Sequence, residues 1–375
     1  MDDLHEYLLP INIAALNNDR EYNDSQFAKF IKIYEQEIPE IAGVDIVIVG
    51  VNEFRGEGFI ANTNAADAVR KQLYKLYNWH KDISIADIGN IKCGSLISDS
   101  YAAIKIVMKE LLQLNKTIII LGGSHDNTLG QYYAYKDINQ VIESTVIDAT
   151  IDLMGESQAR SENFLLEMLT SEPNVVRHYN HIGFQSYFVH PHMLETMDKL
   201  RFDCYRVGTA KEHLEEMEPV IRNSQMLSFD IAAIKHSDAP ASSCSANGFT
   251  GEEACNLMRY AGLSPVLSSV GIYGYNPERD ERNLTALQIA QMLWYFIDGK
   301  SRSRQEAELQ DRQSFNEFHT AFAEIDTVFL QSKKTGRWWM QLPNQKLIAC
   351  SYNDYLFASN NKIPERWLRA QEREV

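Results

Sequence analysis

Apolar residues along this chain fall into two kinds of run. Short segments that are apolar nearly throughout, Val44–Gly50, Thr117–Leu121, Ser144–Ile147, Met226–Phe229 and Val266–Tyr273, read as parallel strands covered on both faces, because a half-exposed strand would alternate instead. Between them lie segments with apolar residues three or four apart. Ala65–Tyr77, Ser100–Asn115 and Thr285–Asp298 carry the stripe of a helix that buries one side. Ser25–Glu37 and Gly251–Tyr260 are shorter candidates, the latter with Thr250 as its N-cap. Strands alternating with helices predict an α/β fold of three layers, α/β/α, around a mainly parallel sheet.

The pattern divides the chain into three stretches. Residues 1–43 are expected to form an N-terminal helical segment packed on the main domain, residues 44–299 the α/β domain, and residues 300–375 a C-terminal extension. The extension opens with the charged, helix-prone SRSRQEAELQDRQ, and KKTGRWWMQLPNQ then reads as an exposed turn leading into an aromatic strand. It is too aromatic for a disordered tail. Trp338, Trp339 and Trp367 are expected to pack on the domain, the alternative being a contact surface for a protein partner.

Composition narrows the function. The formal net charge of −15 argues against a nucleic-acid partner, since little would neutralise phosphates. The five cysteines, Cys93, Cys204, Cys244, Cys255 and Cys350, lie far apart in sequence, which fits a reducing compartment better than a disulfide framework. No apolar run reaches the ~18 residues of a membrane span, and the acidic N-terminus reads as neither signal peptide nor anchor. A cytoplasmic protein without membrane contact is expected.

In parallel sheets chemistry gathers at the carboxyl ends of strands. Here TIIILGGSHDNTLG brings His125 after two glycines, STVIDATID brings Asp148 and Asp152, MLSFDIAAIKHSDAPA brings Asp230, and SSVGIYGYNPERD brings Asn276, Pro277 and Asp280. Any one aspartate after a strand is ordinarily a turn former. One imidazole and three carboxylates meeting at one sheet edge suit a divalent cation such as Mn²⁺.

The motifs and their order resemble those of the ureohydrolase family, which includes arginase, agmatinase and formimidoylglutamase. They are GGSH at Gly122–His125, DATID at Asp148–Asp152, SFDIA at Ser228–Ala232 and GYNP at Gly274–Pro277, with ADIGNI at Ala86–Ile91 and NGFTGEEA at Asn247–Ala254. The likeness is greatest to formimidoylglutamase, through SENF at Ser161–Phe164 in the substrate-loop position. The resemblance implies an arginase-like fold and makes His125, Asp148, Asp152 and Asp230 metal ligands, with Ser161 and Asn163 facing the substrate. It also implies a homo-oligomer.

The same resemblance exposes losses. The family holds two Mn²⁺ ions bridged by hydroxide on six side chains, and two of the six positions are Thr150 and Ala232 here. Both lost groups serve the second ion. The glutamate that receives the substrate's cation is Gly274, and the aspartate-proline pair of the third motif is Lys235-His236. These departures imply at most one divalent ion per chain, Mn²⁺ by preference, or none. Two functions follow: a degenerate ureohydrolase with a binding or regulatory role, or a single-metal hydrolase of a linear amidine such as formimidoylglutamate. In the second, Asp126 or His236 would carry protons, and the ligand is a small amidine or guanidino compound. His236 and Asp238 are also within loop reach of Asp230 as replacement ligands.

Overall fold

The computed structural model describes residues 2–18, 20–242 and 245–374. Cys244 therefore lies outside the described residues; the other four cysteines are free thiols. The main sheet contains β1 (Ile46–Gly50), β2 (Ile85–Ile91), β3 (Thr117–Leu121), β4 (Ile142–Ile147), β5 (Val176–Phe184), β6 (Asp203–Arg206), β7 (Met226–Asp230) and β8 (Ser269–Tyr273). Their order is β2-β1-β3-β8-β7-β4-β5-β6, with every neighbouring pair parallel. At the β2 edge, Leu8–Leu9 adds an antiparallel pairing and Lys32–Ile33 a parallel one.

Alternate residues of these apolar strands serve opposite faces. Ile46, Ile48, Ile119 and Leu121 join one core with α1 (Ala65–Leu73), α5 (Gly251–Leu263) and α6 (Leu284–Ser303). Val47, Val49, Ile118 and Ile120 join the other with α2 (Ile97–Gln113), α3 (Thr128–Asp137) and α4 (Phe164–Thr170). This is the expected three-layer α/β/α arrangement, and it explains why the strands read as unbroken apolar runs. The Thr250 N-cap forms as expected: its side chain accepts from the Glu253 amide, and Glu253 returns the bond to the Thr250 amide.

Three differences from the sequence reading have clear causes. The Ser25–Glu37 helix is instead a single turn at Phe27–Lys29 followed by the strand Lys32–Ile33. The Phe27 and Ala28 amides donate to the Leu76 and Tyr74 carbonyls at 2.9 and 3.2 Å, so tertiary bonds replace helical ones. The first 43 residues as a whole hold only short helical turns, at Asp2–Glu6, Ile13–Leu16 and Phe27–Lys29, although Leu8, Ile11, Phe27 and Ile31 bury against the main cores. Finally, β2, β5 and β6 escape an apolar-run search because they bury polar side chains. Asp87 of β2 is clamped by the fully buried Arg70 through two 2.8 Å bonds, and Asp203 of β6 meets His178 of β5 at 3.0 Å.

The extension folds on its own antiparallel sheet, β9 (Phe315–Phe322), β10 (Ile325–Ser332), β11 (Trp338–Gln341) and β12 (Leu347–Cys350), followed by α7 (Tyr352–Ser359) and α8 (Glu365–Glu374). Its charged opening is helical only to Ser303, where α6 ends; Glu306 then turns inward to Ser332, Thr335 and Arg337. All three tryptophans are buried, so a partner surface on the extension would be made of other residues. No helix among the described residues is long and apolar enough to cross a membrane.

Candidate metal centre

Three strand ends build the centre. After β3 the chain turns through Gly122 and Gly123, both with positive φ, and a Cβ at Gly122 would stand 2.6 Å from the Val51 carbonyl. Only glycine fits there. The turn delivers His125 into the space beyond the sheet. Asp148 and Asp152 follow β4, and Asp230 ends β7, its Oδ1 taking the Ala232 amide at 2.7 Å.

The four side chains converge. His125 Nδ1 lies 2.9 Å from Asp152 Oδ2, 3.2 Å from Asp148 Oδ2 and 3.5 Å from Asp230 Oδ2. All four residues are buried, the most exposed being Asp230 at 7%. Although Nδ1 is near three carboxylates, it is aligned with none of them and counts as a buried nitrogen without a hydrogen-bond partner. The other ring nitrogen is fixed: Nε2 lies 2.9 Å from Ser228 Oγ, which in turn lies 2.7 Å from Thr128 Oγ1.

Electrostatics give the cluster an unmet need. Burial raises the Asp148 carboxyl, and the Asp152 charge adds to it. Burial and the Asp148 charge push Asp230 up to about 7. Burial alone would lower His125, but the surrounding aspartates outweigh it and hold the imidazole well above its ordinary value. An orphaned nitrogen facing three carboxylates fits a divalent cation in both donor type and spacing. Ligand atoms of His125, Asp148 and Asp230 lie within 4.8 Å of one another, as ligands about 2.0–2.6 Å from one ion must.

Other positions singled out in the sequence have different settings. The Thr150 hydroxyl sits 3.2 Å from Asp148 Oδ2 and 3.1 Å from Asp152 Oδ1. Ala232 is 8% exposed and presents only a methyl group. Asp238 takes the Gly251 amide at 2.8 Å and pairs with Lys235 at 3.5 Å, so it serves the start of α5 rather than the centre. His236 is exposed, and its amide donates to the Ser245 carbonyl. Asp126 is fully buried beside His125, with one oxygen held by the Tyr101 hydroxyl and the other without a partner. Ser161 Oγ donates to the Gly56 carbonyl at 3.3 Å and ties two loops together, while Asn163 donates to the Ser157 carbonyl at 2.9 Å within its own loop. Asn276 and Asp280 cap the turn at Pro277–Arg279 and the start of α6.

One residue escaped the sequence reading. Glu57, in the turn Arg55–Glu57 after β1, is pushed up to about 8 by burial and then by the charges of Asp230 and Asp126. The strand-end rule would have found it had the loop after β1 been searched. The two cavities described, of about 1100 and 660 Å³, are lined by other residues: one lies between the β5–β6 edge and the extension, the other between α2 and α3.

With this geometry in view, the family can be decided. The sequence profile of the Arginase family matches residues 44–298, well over half of the chain. The chain belongs to the arginase family. It is 28% identical over 153 residues to the formimidoylglutamase of Lysinibacillus sphaericus, a match spanning 39% of this chain and about half (47%) of that protein. To the formimidoylglutamase of Streptococcus gordonii it is 22% identical over 291 residues, covering 71% of this chain and 88% of the relative. Among solved structures, the Bacillus subtilis formimidoylglutamase superposes with a TM-score of 0.65 at 16% identity, covering 80% of this chain and 98% of its own. A Trypanosoma cruzi formiminoglutamase with Mn²⁺ gives 0.64 at 16% identity, covering 71% and 99%. The protein is thus a formimidoylglutamase-like member of the arginase family, with the arginase-like fold.

Proposed function

We propose that this protein keeps one divalent-cation site of the arginase family and acts by binding an amidine or guanidino compound rather than by hydrolysing it efficiently. The observation that carries this reading is Thr150. Where the family places a second-ion histidine, its hydroxyl lies on Asp148 and Asp152 at once, and the matching position on the third motif is the methyl of Ala232.

His125, Asp148, Asp152 and Asp230 would hold the cation, Mn²⁺ being the choice in keeping with the T. cruzi relative. When bound, a divalent cation supplies Lewis acidity at the strand ends. Ser228 orients His125, and the Asp230–Ala232 contact orients Asp230, so the chain presents a preset ligand shell. What it lacks is the paired arrangement that clamps attacking and developing oxygens together. Catalytic groups that act as a unit lose far more than their share when one part goes.

Metal analysis of the full chain after loading with Mn²⁺ and dialysis tests the reading. One equivalent per chain is expected, and removal of any of the four ligands by alanine substitution should abolish it. Two equivalents in the natural protein would overturn it.

A further inference from the structure

The larger cavity, of about 1100 Å³, lies away from the metal centre. It opens at the amino ends of β4 and β5, where Glu143 and Arg177 stand, and runs along the edge strand β6. The metal centre lies beyond the opposite, carboxyl ends of β3, β4 and β7. Its far wall is made by β12, α7 and α8 of the extension, outside the residues 44–298 that match the family. Small-molecule sites typically measure roughly 300–1,000 Å³, so a whole metabolite fits.

Guanidinium groups are in surplus on its lining. Arg369 and Arg373, one turn apart on α8, both reach across to Asp203 at the start of β6, at 2.9 and 3.1 Å. Both carboxylate oxygens are thereby used, since His178 Nε2 also lies 3.0 Å from Asp203 Oδ2. One buried acid thus serves two guanidiniums and an imidazole. The other partner of Arg369 is Glu365, whose side chain is 78% exposed. Arg373 meets Asp203 and His178 through Nη1 alone, which leaves N–H groups on Nε and Nη2 for another acceptor.

Two further observations point the same way. Arg206, exposed at the other end of β6, lines the same cavity and pairs with no acid among the described residues. His178 is buried in the cavity lining, and its Nδ1 has no hydrogen-bond partner. The chain as a whole carries a net charge of −15, so this surplus is local and opposed to the overall field. Guanidinium forks with unused N–H groups match carboxylate and phosphate oxygens. Met217, Val220, Leu347 and Ile348 supply apolar lining from both walls.

We propose that the cavity between the edge strand and the extension binds a small organic anion. Arg369 and Arg373 would hold its carboxylate or phosphate, Arg206 would add a third cation, and the apolar lining would cover its body. The site is independent of the metal centre and of the reading proposed for it.

Calorimetric titration of the full chain tests this with two pairs of probes. Adenosine 5′-monophosphate is compared with adenosine, and N-benzoylglycine with its amide, so the arms separate a phosphate ligand from a carboxylate. Saturable binding of at least one anion is expected, with its neutral counterpart at least tenfold weaker. Arg373→Gln should weaken the anion about tenfold or more, the usual effect of losing a charge-assisted bond. Because Arg373 also braces the extension, Arg206→Gln, which breaks no ion pair, is the second variant. A loss in either variant supports the site, provided Arg312→Gln, on the exposed start of the extension's sheet, binds as the natural chain does. No binding of either anion would overturn the proposal. So would equal binding of the neutral probes, unchanged binding in both variants, or an equal loss in Arg312→Gln.

Discussion

Ser228 Oγ stands 2.9 Å from His125 Nε2, and this contact decides which nitrogen faces the three aspartates. Ser228 lies on β7 two residues before Asp230, so one strand supplies both a ligand and the group that orients another. Partners of this kind typically contribute 10–100-fold in metal affinity. Ser228→Ala is therefore expected to weaken Mn²⁺ binding by about that factor while leaving the circular dichroism spectrum unchanged. An unaltered affinity would mean that packing alone holds the ring.

On the one-ion reading, placing an imidazole and a carboxylate at positions 150 and 232 should bring in a second ion. Thr150→His with Ala232→Asp returns an imidazole and a carboxylate to the two departing positions, and the Mn²⁺ count should rise from one to two. Lys235 pairs with Asp238 at 3.5 Å, which partly neutralises its charge. A count that stays at one would place the obstacle in the backbone rather than in these two side chains.

The centre makes metal-free stability fall with pH. Asp230 is raised from 3.8 to about 7, so the unfolded chain ionises it first, and stability drains as pH climbs between those values. His125 adds to the same trend: its raised pKa contributes stability that is full below about 6.5 and is lost as pH passes the folded value. A divalent cation needs both groups deprotonated, so Mn²⁺ should bind more tightly as pH rises. Melting temperatures with and without Mn²⁺ are expected to diverge toward alkaline pH. Asp230→Asn should flatten the metal-free curve and remove the divergence.

Hydrolysis of arginine and agmatine is expected to be undetectable, and that of formimidoylglutamate absent or slow. Losing one electrostatic partner at a reacting centre typically costs about 10²–10³ in rate, and this chain departs from the family at Thr150, Ala232 and Gly274 together. Turnover above about 10 s⁻¹, the median for enzymes, on any of the three would refute the binding reading. Asp230→Ala should then abolish it.

The extension is tied to the main domain by a buried arginine. Arg222 pairs with Glu218, donates to the Trp338 carbonyl at 2.8 Å, and lies 4.5 Å from the Trp339 ring centre. Arg222→Ala leaves Glu218 buried beside a broken contact, which typically costs about 3–5 kcal/mol. Urea unfolding should register that loss, and a change under about 1 kcal/mol would show that Arg337, which lies 3.5 Å from Glu218, compensates.

The sequence by itself determined the sheet strands that are apolar on both faces, the main helices, the Thr250 cap, and the order in which His125, Asp148, Asp152 and Asp230 leave strand ends. These are local properties, set by periodicity and by the residue that follows each strand. Tertiary structure decided the rest. Strands β2, β5 and β6 became legible only once Arg70 was seen to neutralise Asp87, and His178 to meet Asp203, because a buried charge looks like a loop residue until its partner is known. The Ser25–Glu37 pattern lost its helix to carbonyls of Tyr74 and Leu76, nearly fifty residues away in sequence. Glu57 acquired meaning only when the fold set it against Asp126 and Asp230, since a carboxylate's chemistry depends on charges that neighbour it in space and not along the chain.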